Sequence, residues 1–207
     1  MKREAMQILF KCAQIYNENL LNKNLLIVTS CKNKIDFLEI KFPKSAYLHL
    51  TGVELNKKLS ANLFYKLCYK RRLSLTDFEF KSDGTTRLKL EVLPMLLNIN
   101  SSVKMINIYN GQRPKLFTEK LAGNIKACLG LIKSDDGNFY VPNTVLKTDM
   151  RDEGIEPEKV LFMMKKNNTD LYYENITYTC KDFDFDNFKI PKNLSNKLKI
   201  NNQIRTS

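Results

Sequence analysis

Apolar residues near the start of the chain recur at spacings of three and four. This period is typical of an amphipathic helix, which we predict over residues 2–21 with its apolar face covering a sheet. The apolar positions are Ala5, Met6, Leu9, Phe10, Ala13, Tyr16, Leu20 and Leu21. Two strand-like runs follow, residues 25–29 and 35–42, and the polar stretch 30–34 separates them. This pattern predicts a β-hairpin.

The middle of the chain again has helical spacing. One helix is predicted within residues 57–70, and a second short helix starts at Ser74, with Asp77 three residues later. A third is predicted over residues 84–98, where Pro94 should kink or limit it.

The second half favours β-structure. The segments rich in β-branched and aromatic residues are 103–109, 127–132, 138–141, 160–164 and 172–178. The polar stretches 135–137 and 166–170 supply turns, so an antiparallel sheet is predicted. From residue 181 onward, six Lys or Arg accompany three Asp and few large apolar residues. We therefore expect one α+β domain over residues 1–180 and a basic, flexible tail over 181–207.

Composition narrows the class of partner. The 207 residues are 43% hydrophobic, which suffices for a core, and the net charge of +12 indicates an anionic partner. Nucleic acid is favoured over anionic lipid. No apolar run is long enough to span a bilayer and the first residues do not resemble a signal peptide, so we expect a cytoplasmic protein. The five cysteines have no paired spacing, so neither disulfides nor a zinc site is indicated; a Cys–His nucleophile is a minor alternative.

His49 is the only histidine, in Ala46-Tyr-Leu-His-Leu-Thr-Gly52. Histidine titrates near neutral pH without help, so His49 is the obvious candidate for acid–base chemistry. The alternative is a core or hinge residue, which the apolar neighbours favour. Around it, residues 41–72 carry eight Lys or Arg against one acid, interleaved with aromatic residues that suit unpaired nucleic acid: Tyr47, Phe64, Tyr65 and Tyr69. The alternative is a solvated helix face that includes Arg71 and Arg72.

A second cluster lies in residues 141–151. If the chain turns at Pro142 and Asn143 and then forms a helical turn, Thr144, Lys147 and Arg151 share one face. A hydroxyl and two cations suit a phosphate group, and the alternative is helix capping beside a solvated face.

The first half of the chain contains three segments in a characteristic order: His49-Leu-Thr-Gly52, residues 58–68 and residues 73–78. In these segments the chain resembles the phage nuclease-like domains grouped with barnase, EndoU, colicin and RelE enzymes, especially their fourth group. Residues 139–151 and 172–178 are similar as well, so the resemblance spans about residues 5–182. It implies a helical N-terminal part packed on a small curved antiparallel sheet. It also implies a metal-independent ribonuclease of phages or mobile elements, a toxin or effector that attacks RNA through the 2′-hydroxyl.

Applied to this sequence, the resemblance makes His49 the base or acid. Lys147 and Arg151 would stabilise the phosphate, and Thr144 or Asn143 would donate to its oxygens. Weaker candidates are Tyr109 and Lys120 in the site and Thr51, Arg71 and Arg72 in substrate binding. Because some members of the wider group use two histidines, the second proton-transfer group would be Lys147, Tyr109 or Asp149.

Two competing hypotheses remain. The chain is either this ribonuclease, or a non-catalytic module of the same fold that binds nucleic acid or protein as an inhibitor or regulator. An antitoxin or host protein is a possible partner of either. No cofactor is expected. Metal catalysis is a weaker alternative. The carboxylates that lie close together in the sequence, Asp182, Asp184 and Asp186, belong to the predicted tail.

Overall fold

The computed structural model describes residues 1–32, 34–56, 59–112 and 116–199. Within these ranges there are seven helices: α1 (Lys2–Asn19), α2 (Ala46–Thr51), α3 (Ala61–Tyr69), α4 (Thr85–Leu96), α5 (Ile99–Ser102), α6 (Met150–Glu153) and α7 (Lys192–Ser195). Helices α1, α3 and α4 confirm the three longer predicted helices, and α4 continues past Pro94. The first residues of the predicted 57–70 helix, Lys57 and Lys58, lie outside the described residues.

Ten strands are described: β1 (Lys23–Cys31), β2 (Lys34–Lys41), β3 (Val53–Leu55), β4 (Phe78–Phe80), β5 (Met105–Ile108), β6 (Lys120–Gly123), β7 (Cys128–Lys133), β8 (Tyr140–Leu146), β9 (Glu158–Asn167) and β10 (Asn175–Thr179). Strands β3 and β4 form a small sheet, and the others form one sheet of eight strands in the order β1-β2-β8-β7-β6-β5-β9-β10. Strand β1 also pairs with β9. Since the pairing returns to its start, the large sheet curves back on itself.

The α+β class is confirmed, but the predicted small sheet is wrong in two respects. It has eight strands and is therefore not small; among them is the predicted hairpin β1–β2, which is confirmed. It is also mixed, because β2 pairs in parallel with β8 between Ile40 and Tyr140, although its other pairs are antiparallel. The predicted helix at Ser74 is a turn that leads into β4. There Asp77 accepts a hydrogen bond from the Ser74 backbone N–H, at 2.8 Å.

The large sheet has two apolar faces, as the alternation of side chains along a strand requires. One face shares the main core with the helices; Leu25 and Ile27 of β1 pack there with Tyr16 and Phe64. The other face carries Leu26, Val28, Phe162 and Met164. Each face buries its own set of side chains.

The second face is covered by residues 181–199, which we name the C-terminal segment. Phe183, Phe185 and Phe188 surround the ring of Phe162, with centroids 5.2, 5.0 and 5.6 Å away. These residues are therefore packed on the sheet, in contrast to the expected flexible tail that begins at residue 181. Residues 200–207 of that predicted tail lie outside the described residues.

No described helix combines the length and the apolar character needed to cross a bilayer.

Candidate active site

A cleft lies where α2, α4 and β8 meet. Its first part has a volume of about 330 Å³ and is lined by Leu48, His49, Gly52, Val53, Lys81, Lys89, Leu116, Phe117, Asn143 and Thr144. Its second part, of about 540 Å³, shares Lys81, Lys89, Leu116 and Thr144 with the first and extends to Lys147, Thr148 and Glu153. Among the described lining residues of the first part there is no carboxylate, so its electrostatic character is basic.

Helix α2 places His49 at the rim of the cleft. The helix ends at Gly52, whose φ of 66° lies in the left-handed region that favours glycine. The His49 side chain is exposed, in contrast to its buried neighbour Leu50. The alternative that His49 is a core residue is therefore wrong, because its ring is open to solvent.

Helix α4 brings Lys89 over the end of α2. The Thr86 hydroxyl donates to the Gly52 carbonyl at 2.6 Å, and Lys89 follows one turn later. The Lys89 stem crosses Gly52 so closely that a Cβ there would lie 2.6 Å from Lys89 Cδ. The backbone conformation therefore favours glycine at position 52, and a larger residue there would also displace the Lys89 side chain.

Lys89 binds neutral oxygens from both walls. Its ammonium donates to Thr144 Oγ1 at 2.8 Å and to the His49 carbonyl at 3.3 Å. Burial and, to a smaller extent, the nearby Lys81 lower the pKa of Lys89 to about 8, although Asp83 opposes the shift. A lysine with a pKa near 8 can both hold a phosphate as a cation and release a proton near neutral pH.

Strand β8 presents two adjacent polar residues to the cleft because it contains a β-bulge. Thr144 pairs with Gly130 and Pro142 with Leu131, so Asn143 is an extra residue between them. Gly130 leaves room for this bulge, since a Cβ there would lie 2.5 Å from Thr144 Cγ2. The predicted turn and helical face in residues 142–151 are wrong; Thr144 reaches the cleft from a strand.

The two predicted cations beyond Thr144 are both paired with acids. Lys147 lies after β8 in the second part of the cleft, and its ammonium is 2.6 Å from Glu91 on α4. Both side chains are exposed, and such pairs contribute little to stability. The Arg151 guanidinium contacts both carboxylate oxygens of Asp149 and is not among the lining residues. Lys147 therefore lines the second part of the cleft, and Arg151 does not line either part.

The remaining predicted residues lie elsewhere. Tyr109 is buried beside Leu121, Cys128 and Met150, and its pKa is raised by burial and by Glu153 and Cys128. Lys120 on β6 is half-buried and lies 5.6 Å from the Tyr140 ring centroid. The Thr51 hydroxyl, fully buried, donates to the Leu48 carbonyl at 2.8 Å. Arg71 and Arg72 are exposed after α3. None of these five residues lines the cleft.

The aromatic residues expected to stack on bases are mostly core residues. Tyr47, Phe64 and Tyr65 are buried and pack on one another and on Tyr16. The cysteines are poor nucleophile candidates as well. All five are free, and burial raises the pKa of Cys12 and Cys128 to about 12, which disfavours the thiolate.

Within the described ranges, no three His, Cys, Asp or Glu side chains form a group suited to hold a metal ion. The Asp184 carboxylate, part of the acidic set in the C-terminal segment, is held by the Asn187 side chain at 2.6 Å.

Sequence reasoning missed Lys81 and Lys89. The only local signal for Lys89 is its spacing from Thr86, three residues apart on one helix face. That spacing is common on helices, so it does not indicate chemistry without the fold.

Comparison with known proteins gives one match. Residues 8–182 match the family described as phage-Barnase-EndoU-ColicinE5/D-RelE like nuclease4. No curated protein and no solved structure matches the chain.

Proposed function

Because the chain belongs to the phage-Barnase-EndoU-ColicinE5/D-RelE like nuclease4 family, we propose that it is a metal-independent ribonuclease whose active site is the cleft at His49. The observation that carries the proposal is the contact set of Lys89. Its ammonium joins the His49 backbone to Thr144, at 3.3 and 2.8 Å, in a pocket that also contains the exposed imidazole. A base and a cation of suitable pKa thus share one basic pocket with room for a phosphate.

In the proposed reaction, His49 removes the proton from a ribose 2′-hydroxyl as its oxygen bonds to phosphorus. The bond between phosphorus and the 5′-oxygen breaks, and the Lys89 ammonium donates a proton to that oxygen. The products are a 2′,3′-cyclic phosphate and a 5′-hydroxyl end. This assignment gives Lys89 the second proton-transfer role, for which the sequence offered Lys147, Tyr109 or Asp149.

Other cleft residues would stabilise the charge on the reacting phosphate. Lys81 adds a second cation close to Lys89, as its effect on the Lys89 pKa indicates. Lys147 can exchange its exposed partner Glu91 for a phosphate oxygen, because the pair is solvated on both sides. The Asn143 amide and the Thr144 hydroxyl are neutral polar groups on the opposite wall. Charge stabilisation of this kind is a major source of catalysis in phosphoryl chemistry.

The test is cleavage of a labelled RNA in the presence of EDTA. Wild-type protein should cleave, and His49→Ala should cleave about 10²- to 10⁴-fold more slowly, the usual contribution of a general acid or base. The melting temperature should not change, since the ring is exposed. Mass spectrometry of the 3′ ends should identify the cyclic phosphate.

Lys11→Ala is a suitable control. Lys11 is an exposed residue of α1 that does not line the cleft, and the change removes one positive charge from the protein. It should cleave at the wild-type rate. Equal cleavage by wild type and His49→Ala would refute the assignment of the base, and activity that EDTA abolishes and Mg²⁺ restores would refute metal independence.

The biological role we propose is that of a toxin or effector of a phage or mobile element, acting on RNA in the cytoplasm of a host cell. An antitoxin that covers the cleft would then be the expected partner. Induced expression in a bacterium should arrest growth for wild type and not for His49→Ala. Normal growth with active wild-type protein would contradict the toxin role.

A non-catalytic binding module is the second candidate, and one observation favours it. Lys147 and Arg151, two cations predicted to stabilise the phosphate, are both paired with carboxylates. Such a module would bind RNA with a steep salt dependence and leave it intact. Recovery of uncleaved RNA from the wild-type protein, after long incubation at saturating concentration, would support this candidate.

A further inference from the structure

Phe117 is the most exposed of the large apolar side chains that the structure describes. Its side chain is 89% exposed, although it belongs to the first part of the cleft, beside His49 and Lys89. Transfer of an apolar ring from water into contact with another molecule is favourable, and this ring is placed where a molecule bound in the cleft can reach it.

The backbone beneath this ring is fixed to the sheet. The Asn143 amide donates to the Phe117 carbonyl, and the Thr118 hydroxyl donates to Asn143 Oδ1 at 3.2 Å. Two residues later, the Glu119 backbone N–H donates to the Leu131 carbonyl on β7 at 2.9 Å. The Phe117 backbone is therefore held at the rim by the same β8 bulge that places Thr144 inside the cleft.

The surroundings of Phe117 indicate what covers it. Lys81 and Lys89 line the same first part of the cleft, and no described lining residue of that part carries a negative charge. A flat apolar ring beside cations that suit phosphate is the combination by which proteins bind unpaired nucleic acid, with a base on the ring and the backbone on the cations. An apolar protein partner would offer these lysines no anionic group beyond the nearby Asp83.

We infer that Phe117 stacks on an unpaired base next to the phosphate bound in the cleft, so that the substrate is single-stranded RNA. This inference rests on the proposed function. In a duplex the base faces are already stacked and paired, so they are not available to Phe117 without local opening. The ring thus selects loops and single strands, whereas His49 and Lys89 act on the phosphate whatever its base.

The chain lacks tryptophan, so Phe117→Trp introduces a unique fluorophore at the proposed stacking position. We would titrate this variant with two ligands, a single-stranded 2′-O-methyl RNA of about 12 nucleotides and the same strand in a duplex. This RNA has no free 2′-hydroxyl to attack, and it is long enough to fill a typical single-strand site. A stacked base quenches indole fluorescence, so the single strand should quench and the duplex should not. Leu171→Trp is the matched control, because Leu171 is 81% exposed and lies outside the cleft.

A second measurement gives the size of the effect. Phe117→Ala should weaken binding of the single strand about 5- to 100-fold, the range for loss of one stacked base, and Phe117→Tyr should retain most of the affinity. Equal quenching in both tryptophan variants, equal quenching by the duplex, or unchanged binding by Phe117→Ala would each overturn the inference.

Cleavage by wild-type protein, measured separately, distinguishes the two proposals. If wild type cleaves RNA but the single strand does not quench the Phe117→Trp variant, stacking fails and the ribonuclease assignment stands. If the single strand quenches this variant but wild type does not cleave, stacking stands and the ribonuclease assignment fails. If no RNA binds at all, both fail.

Discussion

Two regions of the protein, the C-terminal segment on the second face of the sheet and the cleft at His49, each contain a partly buried lysine. The partners of these two lysines, Lys197 and Lys89, differ. On the second face of the sheet, Lys197 in the C-terminal segment lies 2.5 Å from the buried Glu39 carboxylate, which also accepts a hydrogen bond from Tyr173 at 2.9 Å. In the cleft, the polar contacts of Lys89 within the described part of the chain are to neutral oxygens, those of Thr144 and His49. One lysine compensates a buried charge, and the other is itself a half-buried charge without a contacting carboxylate.

This difference distinguishes a region whose polar contacts stabilise the fold from a region whose polar groups are suited to act on a ligand. In the Glu39 network both carboxylate oxygens have a partner, and Tyr173 belongs to the apolar cluster that contains Phe162, so these groups are positioned by the fold. In the cleft, burial lowers the pKa of Lys89, and an exposed imidazole and an exposed phenyl ring lie nearby. Groups with perturbed pKa values in a concave site are typical of functional sites.

The largest expected effect comes from exchanging the two lysines for methionine in turn. Lys89→Met should slow RNA cleavage by about 10²-fold or more, because it removes the proposed acid and its charge. It should not lower the free energy of unfolding, since a partly buried unpaired cation is replaced by an apolar chain of similar length.

Lys197→Met should do the reverse. It should lower the free energy of unfolding by about 1–3 kcal/mol, because the buried Glu39 carboxylate loses its cationic partner, and leave cleavage unchanged per folded molecule. Urea denaturation and initial cleavage rates of both variants test the pair. If both variants lose stability and keep activity, the contrast between the two lysines is wrong.

Phe162→Ala should destabilise the protein without changing its chemistry. Phe162 is fully buried among three other phenylalanines, so truncation should cost about 3–5 kcal/mol of unfolding free energy. Cleavage measured well below the melting temperature should stay at the wild-type rate. Leu171→Ala, at an exposed position, is the matched control and should be neutral.

The same contrast explains how much of the fold the sequence predicts. Helix α1, the hairpin β1–β2 and strand β9 follow from local periodicity, and the structure confirms them. The C-terminal segment does not, because Phe183, Phe185 and Phe188 are separated by polar residues and show their role only against Phe162. Their burial is decided by a partner strand about twenty residues away in the sequence.

The candidate site shows a similar limit. Histidine chemistry indicates His49, and the polar cluster in residues 141–151 indicates Thr144, although Thr144 reaches the cleft from strand β8 and not from the predicted helix face. Lys89 has no such signal, since its role depends on a glycine 37 positions earlier and a threonine 55 positions later. A β-bulge such as that at Asn143 likewise depends on the partner strand, where Gly130 makes room.

The last effect that we predict is the pH dependence caused by Lys89. Its pKa is about 8 in the folded protein against an ordinary 10.5, so between these values the unfolded chain binds more protons at this site than the folded protein does. The free energy of unfolding contributed by Lys89 therefore rises from pH 8 toward 10.5 and is flat below 8. Cysteines and tyrosines with raised pKa values act in the opposite direction, but they are present in Lys89→Met as well. The difference between wild type and this variant isolates the lysine.

Activity provides the second readout of the same proton. If the Lys89 ammonium donates to the leaving oxygen, kcat/KM for wild type should fall as the pH rises through about 8, because this parameter reports groups of the free enzyme. The fall should be absent from the residual activity of Lys89→Met. A rate that instead rises through about pH 8 would mean that the neutral amine acts as a base, and the roles of Lys89 and His49 would then be exchanged.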